Sequence, residues 1–134
     1  MEPLKQVYLL VGEDRYQLWL AERAIIKRTF LDSSEDNLVR FDKTPSSDEL
    51  AVALASPGFF STQTLGIIED SSWFGSDKKS EARKDDEVRV AEVLTQLPEE
   101  SRVIIKAVKA DKRGSLYKKI STFGVLLEGD LLKG

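Results

Sequence analysis

Val7–Val11, with the sequence VYLLV, is an unbroken apolar and β-branched run that ends at Gly12. Strict alternation of apolar and polar residues would indicate a strand with one face in water, whereas a continuous run is typical of a strand covered on both faces. Both faces are covered when helices pack on each side of parallel strands. The run therefore predicts the first strand of a parallel sheet in an α/β domain.

Strands and helices are predicted to alternate along the rest of the chain. Apolar residues from Tyr16 through Leu20 to Ile26 recur at intervals of three and four, which predicts an amphipathic helix over about 14–30. Further strands are predicted at 37–41, 65–68, 103–105 and 125–127. Further helices are predicted after the capping box of Ser46 and Glu49, through Val90–Leu97 and at about 114–122. We expect five strands and five helices in all, forming a three-layer, five-stranded, mostly parallel sheet with helices on both faces.

The stretch 69–87 departs from this pattern. Nine of the eleven residues from Asp77 to Glu87 are charged, with both signs mixed, so no apolar stripe is available to pack the segment. We expect a mobile loop there that frays into the following helix.

The composition excludes several classes of chemistry. The 134 residues include no Cys and no His, whereas a Ser-His-Asp triad, a Cys-His nucleophile, the common zinc sites and an iron–sulfur cluster each need a thiolate or an imidazole. The length suits one domain with its own core, the formal net charge is −3, and no apolar run is long enough to span a membrane. We expect a cytoplasmic domain without membrane contact, metal or cofactor.

The loop after the first strand is the natural place for a ligand, because open parallel sheets bind ligands at the carboxyl ends of their strands. A phosphate-binding loop has the pattern G-x-x-x-x-G-K-[ST]. Counted from Gly12, the second Gly, the Lys and the Ser or Thr are replaced by Gln17, Leu18 and Trp19. A nucleotide-binding α/β domain is therefore an alternative that these residues disfavour.

A phosphoacceptor receiver domain is a further alternative. Such a domain would hold Mg²⁺ between acidic residues at one sheet edge, with a Lys at a later strand end. The candidate residues are Glu13, Asp14, Glu69 and Asp70, with Lys106 or Lys109 as the Lys at a later strand end. The Ser or Thr expected after the fourth strand is missing, and acidic residues also commonly start helices.

Two other features suggest binding surfaces. Phe59 and Phe60 follow a Pro-Gly break. Neighbours at i and i+1 do not share a helix face, so at least one of the two rings is expected to be partly exposed. The pair is therefore either a set of core residues or a hydrophobic anchor for a partner. Trp73 and Phe74 leave the same alternatives open.

A basic run lies between residues 106 and 119, where there is a single acid. Its six bases are Lys106, Lys109, Lys112, Arg113, Lys118 and Lys119. Such a run would lie against solvent, an acidic subunit or phosphates.

Taken in order, these segments resemble the N-terminal domain of the delta subunit of bacterial DNA polymerase III, the clamp-opening subunit of the clamp loader. The matching segments are Tyr8–Asp14, Phe41-Asp42, Leu54 with Gly58–Ser61 and Leu65–Ile68, Val103–Ile105, Ala110–Arg113, Leu116–Lys118 and Gly124. The resemblance implies a degenerate domain of the AAA+ or P-loop NTPase class (RecA type) that has lost nucleotide binding and performs no catalysis.

The resemblance also implies a clamp-binding site. Family members insert a Leu-Phe pair after a Ser into a pocket of the ring-shaped sliding clamp, the beta subunit, and favour an open ring for loading onto DNA during replication. The matching positions are Phe59 and Phe60, flanked by Gly58 and Ser61.

The other implied partners are clamp-loader subunits, delta prime and gamma/tau, reached mainly through lid and collar domains beyond residues 1–134, while DNA is reached indirectly. The basic residues assigned to a DNA or subunit contact are Lys109, Lys112, Arg113, Lys118 and Lys119.

Overall fold

The computed structural model describes residues 5–30, 38–55, 63–69, 73–74 and 81–128, with only the backbone described at 81–83. Five strands and four helices lie in these ranges. They are β1 (Val7–Val11), α1 (Arg15–Thr29), β2 (Leu38–Phe41), α2 (Ser47–Ala53), β3 (Thr64–Ile68), α3 (Glu81–Thr95), β4 (Ser101–Ala107), α4 (Ser115–Phe123) and β5 (Val125–Glu128). The described ranges hold no fifth helix, so that part of the prediction is not met there.

All five strands are parallel, in the order β2-β3-β4-β1-β5. The VYLLV run is an inner strand, in which Val7 aligns with Val103 of β4 and Tyr8 with Val125 of β5. The predicted parallel α/β sheet is confirmed.

Successive residues of the inner strands pack against opposite layers of helix. Leu9 and Ile105 belong to a core shared with α2, α3 and α4, whereas Leu10 and Ile104 pack against α1. This alternation follows from the two-residue period of a strand. Helices on both faces of the sheet are thus confirmed, with α1 alone on one face among the described elements.

The sequence predicted a mobile loop over 69–87. This prediction is wrong for residues 81–87, because α3 begins at Glu81. A polar contact takes the place of the missing apolar stripe. The Asp86 carboxylate accepts hydrogen bonds from the Ser47 hydroxyl at 2.7 Å and the Ser47 backbone N–H at 3.2 Å, at the first turn of α2. Glu, Lys, Arg and Ala are also good helix formers, so the segment extends the helix that follows.

Trp73 and Phe74 are core residues, with 5% and 3% of their surfaces exposed. Their rings meet edge to face with centroids 6.4 Å apart, a favoured aromatic geometry. The anchor alternative is therefore wrong for this pair. No helix in the described ranges has the length and apolar character needed to cross a membrane.

Candidate functional site

A cavity of about 520 Å³ opens at the carboxyl edge of the sheet, between α1 and the loops after β1, β3 and β4. Open α/β sheets bind their ligands at this edge. The cavity is lined by Gly12, Arg15, Tyr16, Leu18, Trp19, Glu69, Lys106, Ala107 and Val108. It includes the loop that the sequence marked as the natural place for a ligand.

Three amides at the junction of β1 and α1 already have hydrogen-bond acceptors within the protein. The Asp14 carboxylate caps α1 by accepting hydrogen bonds from the N–H groups of Tyr16 at 3.1 Å and Gln17 at 3.2 Å. The Gly12 N–H donates to the Ala107 carbonyl at 3.0 Å. Phosphate-binding loops direct such amides at the ligand. These three amides therefore have protein acceptors in place of a phosphate.

Four charged side chains form a closed network beside the cavity, here called the charge network: Glu22 of α1, Arg40 of β2, Glu69 after β3 and Lys106 of β4. Lys106 Nζ lies 2.7 Å from a carboxylate oxygen of each acid. Arg40 contacts Glu69 and lies 3.4 Å from Glu22. Each acid thus contacts both bases, and the network is neutral overall.

Burial sets the electrostatics of this network. Glu22 is 2% exposed, because it lies on the side of α1 that packs on the sheet. Burial alone would lower the pKa of Lys106, but hydrogen bonds to Glu22 and Glu69 outweigh it and raise that pKa. Burial would raise the pKa of Glu69, but its bonds to Lys106 and Arg40 lower it. Glu69 and Lys106 are consequently held in their charged forms at neutral pH.

The acidic residues proposed for Mg²⁺ have other partners. Glu69 belongs to the charge network, Asp14 caps α1, and Glu13 pairs with Lys109 at 3.7 Å. Asp70 lies outside the described residues. The described ranges contain no group of three or more potential metal ligands, so the geometry gives the receiver alternative no support.

The basic run is dispersed over several environments. Lys106 is in the charge network, whereas Lys109, Lys112 and Arg113 contact the carboxylates of Glu13, Glu128 and Asp111, respectively. Lys118 and Lys119 lie exposed on α4. The assignment of this run to a DNA or subunit contact stays a prediction.

Phe59 and Phe60, with Gly58 and Ser61, lie outside the described residues. Their flanks are well fixed at the amino edge of the sheet. The Ser101 hydroxyl donates to the Leu54 carbonyl at 2.7 Å, and the Thr64 N–H donates to the Glu100 carbonyl at 3.0 Å. Both ends of the predicted anchor segment therefore meet the start of β4, at the opposite edge of the sheet from the cavity.

The apolar pattern of α1 predicted the helix but not its buried side. Tyr16, Leu20 and Ala24 are exposed, whereas Leu18, Glu22 and Ile25 face the sheet. The missed signal is that Glu22 lies four residues after Leu18 and three before Ile25, so an acid stands within an apolar stripe. An acid in that position needs a buried base, which is Lys106.

Comparison with known proteins adds an independent observation. The model of the family described as DNA polymerase III, delta subunit, matches residues 8–128. Among solved structures, the Bacillus subtilis DNA clamp loader delta protein (YqeN) is similar with a TM-score of 0.72 and 20% sequence identity. The similarity covers 94% of this chain and 38% of that one, so the chain spans well under half of that protein. No curated protein sequence matches significantly. The chain therefore belongs to the family of DNA polymerase III delta subunits.

Proposed function

We propose that residues 1–134 form the non-catalytic, clamp-binding domain of a clamp-loader delta subunit. In this proposal Phe59 and Phe60 enter a hydrophobic pocket of the sliding clamp and favour the open ring that is loaded onto DNA. The observation that carries the proposal is the family match over residues 8–128. The fold shared with a solved clamp-loader delta protein supports it.

A binding function without nucleotide chemistry agrees with the carboxyl edge of the sheet. The amides at the start of α1 donate to Asp14, and Lys106, one of the two bases that line the cavity, is neutralised by two carboxylates. A triphosphate would have to displace these internal partners, and each acid beside it would add repulsion. We infer that the loop is a degenerate phosphate-binding loop.

The flanks of the anchor segment suit a role in partner binding. Leu54 and Thr64 are buried at 1% and 3% exposure, so the segment between them has two fixed ends. A segment with fixed ends loses less conformational freedom when it binds, which favours affinity.

The proposal assigns this domain one part of a larger assembly. Contacts with the delta prime and gamma/tau subunits belong mainly to lid and collar domains, and contact with DNA follows from loading of the clamp. A cytoplasmic location is part of the same proposal.

The test is calorimetric titration of the chain with a purified sliding clamp, comparing wild type with the Phe59→Ala, Phe60→Ala double variant. Hot-spot residues contribute about 2 kcal/mol or more each, so losing one of them should weaken binding about 30-fold, and the double variant should bind about 700-fold more weakly if the two effects add. The matched control is Tyr16→Ala, Trp19→Ala, which removes two exposed aromatic rings at the other sheet edge and should keep its clamp affinity.

Thermal unfolding of each variant shows whether the rings are core residues. If the Phe variant keeps its melting temperature and its clamp affinity, the anchor is elsewhere. If it unfolds at a much lower temperature, Phe59 and Phe60 are core residues and the anchor assignment is wrong.

A further inference from the structure

The side of α1 that faces away from the sheet carries an unusual set of side chains. Positions three and four apart share one side of a helix, so the members form one stripe, here called the outer face: Tyr16, Trp19, Leu20, Arg23 and Lys27. Tyr16 and Trp19 are 63% and 50% exposed. Scattered exposed apolar residues are ordinary, but adjacent exposed aromatic rings mark interaction surfaces.

The charge of the outer face is positive. Glu22 is the one acid in α1, and it is buried in the charge network. In the part of the chain that the structure describes, no carboxylate forms an ion pair with Arg15, Arg23 or Lys27. Since the whole chain has a formal net charge of −3, this positive stripe differs in sign from the protein that carries it.

The aromatic end of the stripe has space for a flat group. The rings of Tyr16 and Trp19 are stacked, with centroids 6.1 Å apart and planes inclined by 21°. Both residues line the cavity of about 520 Å³, whose wall also includes the apolar side chains of Leu18, Ala107 and Val108. That volume is in the usual range for pockets that bind organic molecules.

We propose that the outer face of α1 binds single-stranded nucleic acid, with bases stacked on Trp19 and Tyr16 and phosphates along Arg23 and Lys27. Proteins that bind single strands combine aromatic rings for the bases with a row of cations for the backbone. The bases of a duplex are stacked on one another and are not available to these rings. The site is separate from the anchor segment and does not depend on clamp binding.

The charges disfavour a second copy of the chain as the occupant. A symmetric contact would place the positively charged outer face of one copy against the same positively charged face of the other. An acidic protein segment would satisfy the cations but would provide no flat group to stack on the exposed surfaces of the Tyr16 and Trp19 rings. A polyanion that also carries flat rings meets both requirements.

The test is binding of the 134-residue chain to fluorescein-labelled oligodeoxythymidylate of about 16 nucleotides, the upper site size of a single-strand-binding domain. The Arg23→Ala, Lys27→Ala variant should bind more weakly at low salt. Its plot of log affinity against log salt should be shallower by about 1.4, since each cation on a single strand contributes about 0.7. Trp19→Ala should weaken binding about tenfold, through loss of one stacked base.

The matched control is Lys5→Ala, Lys43→Ala, which removes two exposed cations outside α1 and the basic run and should leave affinity and salt slope nearly unchanged. The Lys118→Ala, Lys119→Ala variant tests the basic run as the rival site in the same assay. Trp fluorescence gives a second readout, since the chain has two Trp and Trp73 is buried. Quenching by the oligonucleotide should disappear in Trp19→Phe.

Three results would overturn the proposal. One is absence of oligonucleotide binding at low salt by the folded chain. Another is a loss in the Lys118→Ala, Lys119→Ala variant that equals or exceeds the loss in the Arg23→Ala, Lys27→Ala variant, which would move the site to the basic run. The third is equal affinity for poly-glutamate together with no effect of Trp19→Ala, which would identify an acidic protein partner.

Discussion

The ammonium group of Lys106 and the carboxylate of Glu22 lie 2.7 Å apart beneath α1, although 84 residues separate them in the chain. The pair joins the helix to β4, and Glu69 and Arg40 close the network around it. Removing one partner of a buried ion pair strongly destabilises a protein, because the other charge stays desolvated and without its partner. Substitutions in the charge network therefore test how much it stabilises the fold.

Replacing Lys106 with Met should lower the free energy of unfolding by about 3–5 kcal/mol, since Glu22 would keep only the longer contact with Arg40. Urea denaturation measures the change. Lys118→Met, at an exposed position of α4, should change the unfolding free energy by less than about 0.5 kcal/mol. A small and equal effect of the two substitutions would mean that the charge network does not stabilise the fold.

The network should also give stability a defined dependence on pH. The folded-state pKa of Glu69 is lowered, so its contribution is complete above its unfolded pKa of about 4.3 and is lost as the pH falls through the folded value. The pKa of Lys106 is raised, so its contribution is complete below about 10.4 and is lost at higher pH. Unfolding free energies of wild type and Glu69→Gln should therefore differ most between about pH 5 and 10 and converge in acid. A difference that stays constant down to pH values of about 2 would contradict this assignment.

Removing the Asp86 carboxylate should destabilise the domain by about 1–2 kcal/mol, the usual effect of losing a helix cap. Asp86 accepts hydrogen bonds from both the hydroxyl and the N–H of Ser47, at the first turn of α2. Asp85 is the matched control position, because it is exposed and directly precedes Asp86 in α3. Chemical denaturation of Asp86→Ala and Asp85→Ala compares the two, and the assignment fails if Asp85→Ala has the larger effect.

Gly124 should tolerate no side chain, because a Cβ atom there would lie 2.8 Å from the Val7 carbonyl oxygen. That oxygen is a backbone atom of β1, so relief of the clash needs movement of a strand. Gly124→Ala is expected to lower stability by about 1–3 kcal/mol, as overpacking does. At Gly114 the nearest atom would be 3.4 Å away, so Gly114→Ala should have a much smaller effect in the same denaturation experiment.

The strands were predictable because burial on both faces leaves continuous apolar runs, and VYLLV at 7–11 is the clearest example. The length of β4 was underestimated, since it extends from Ser101 to Ala107 and contains the polar residues Arg102 and Lys106. Polar side chains inside a strand hide its ends from a pattern of apolar residues. The alternating order and the parallel sheet followed from spacing alone.

The contacts that hold charged residues were not predictable from local pattern. Asp86 docks on Ser47, which is 39 residues away, and Glu22 pairs with Lys106 at a still greater separation. The spacing of apolar residues identifies a helix. It does not show which side of the helix is buried when apolar or aromatic residues occupy two sides, as Leu18 and Trp19 do in α1. The positions of Phe59 and Phe60 came from the family resemblance, and their role stays a prediction.

The inner position of β1 has a consequence for synthesis of the chain. The strand has no neighbour until Val103 of β4, and then Val125 of β5, have been translated. At about 5–20 residues per second, the first strand waits roughly 5–20 s, and β2 and β3 are made long before it is paired. Nascent chains stalled near residue 100 should therefore be protease-sensitive, whereas chains that extend past β5 are resistant. The apolar segment VYLLV is thus among the first to be made and among the last of the described strands to be paired, so it is exposed to chaperones and to aggregation until β4 has been translated.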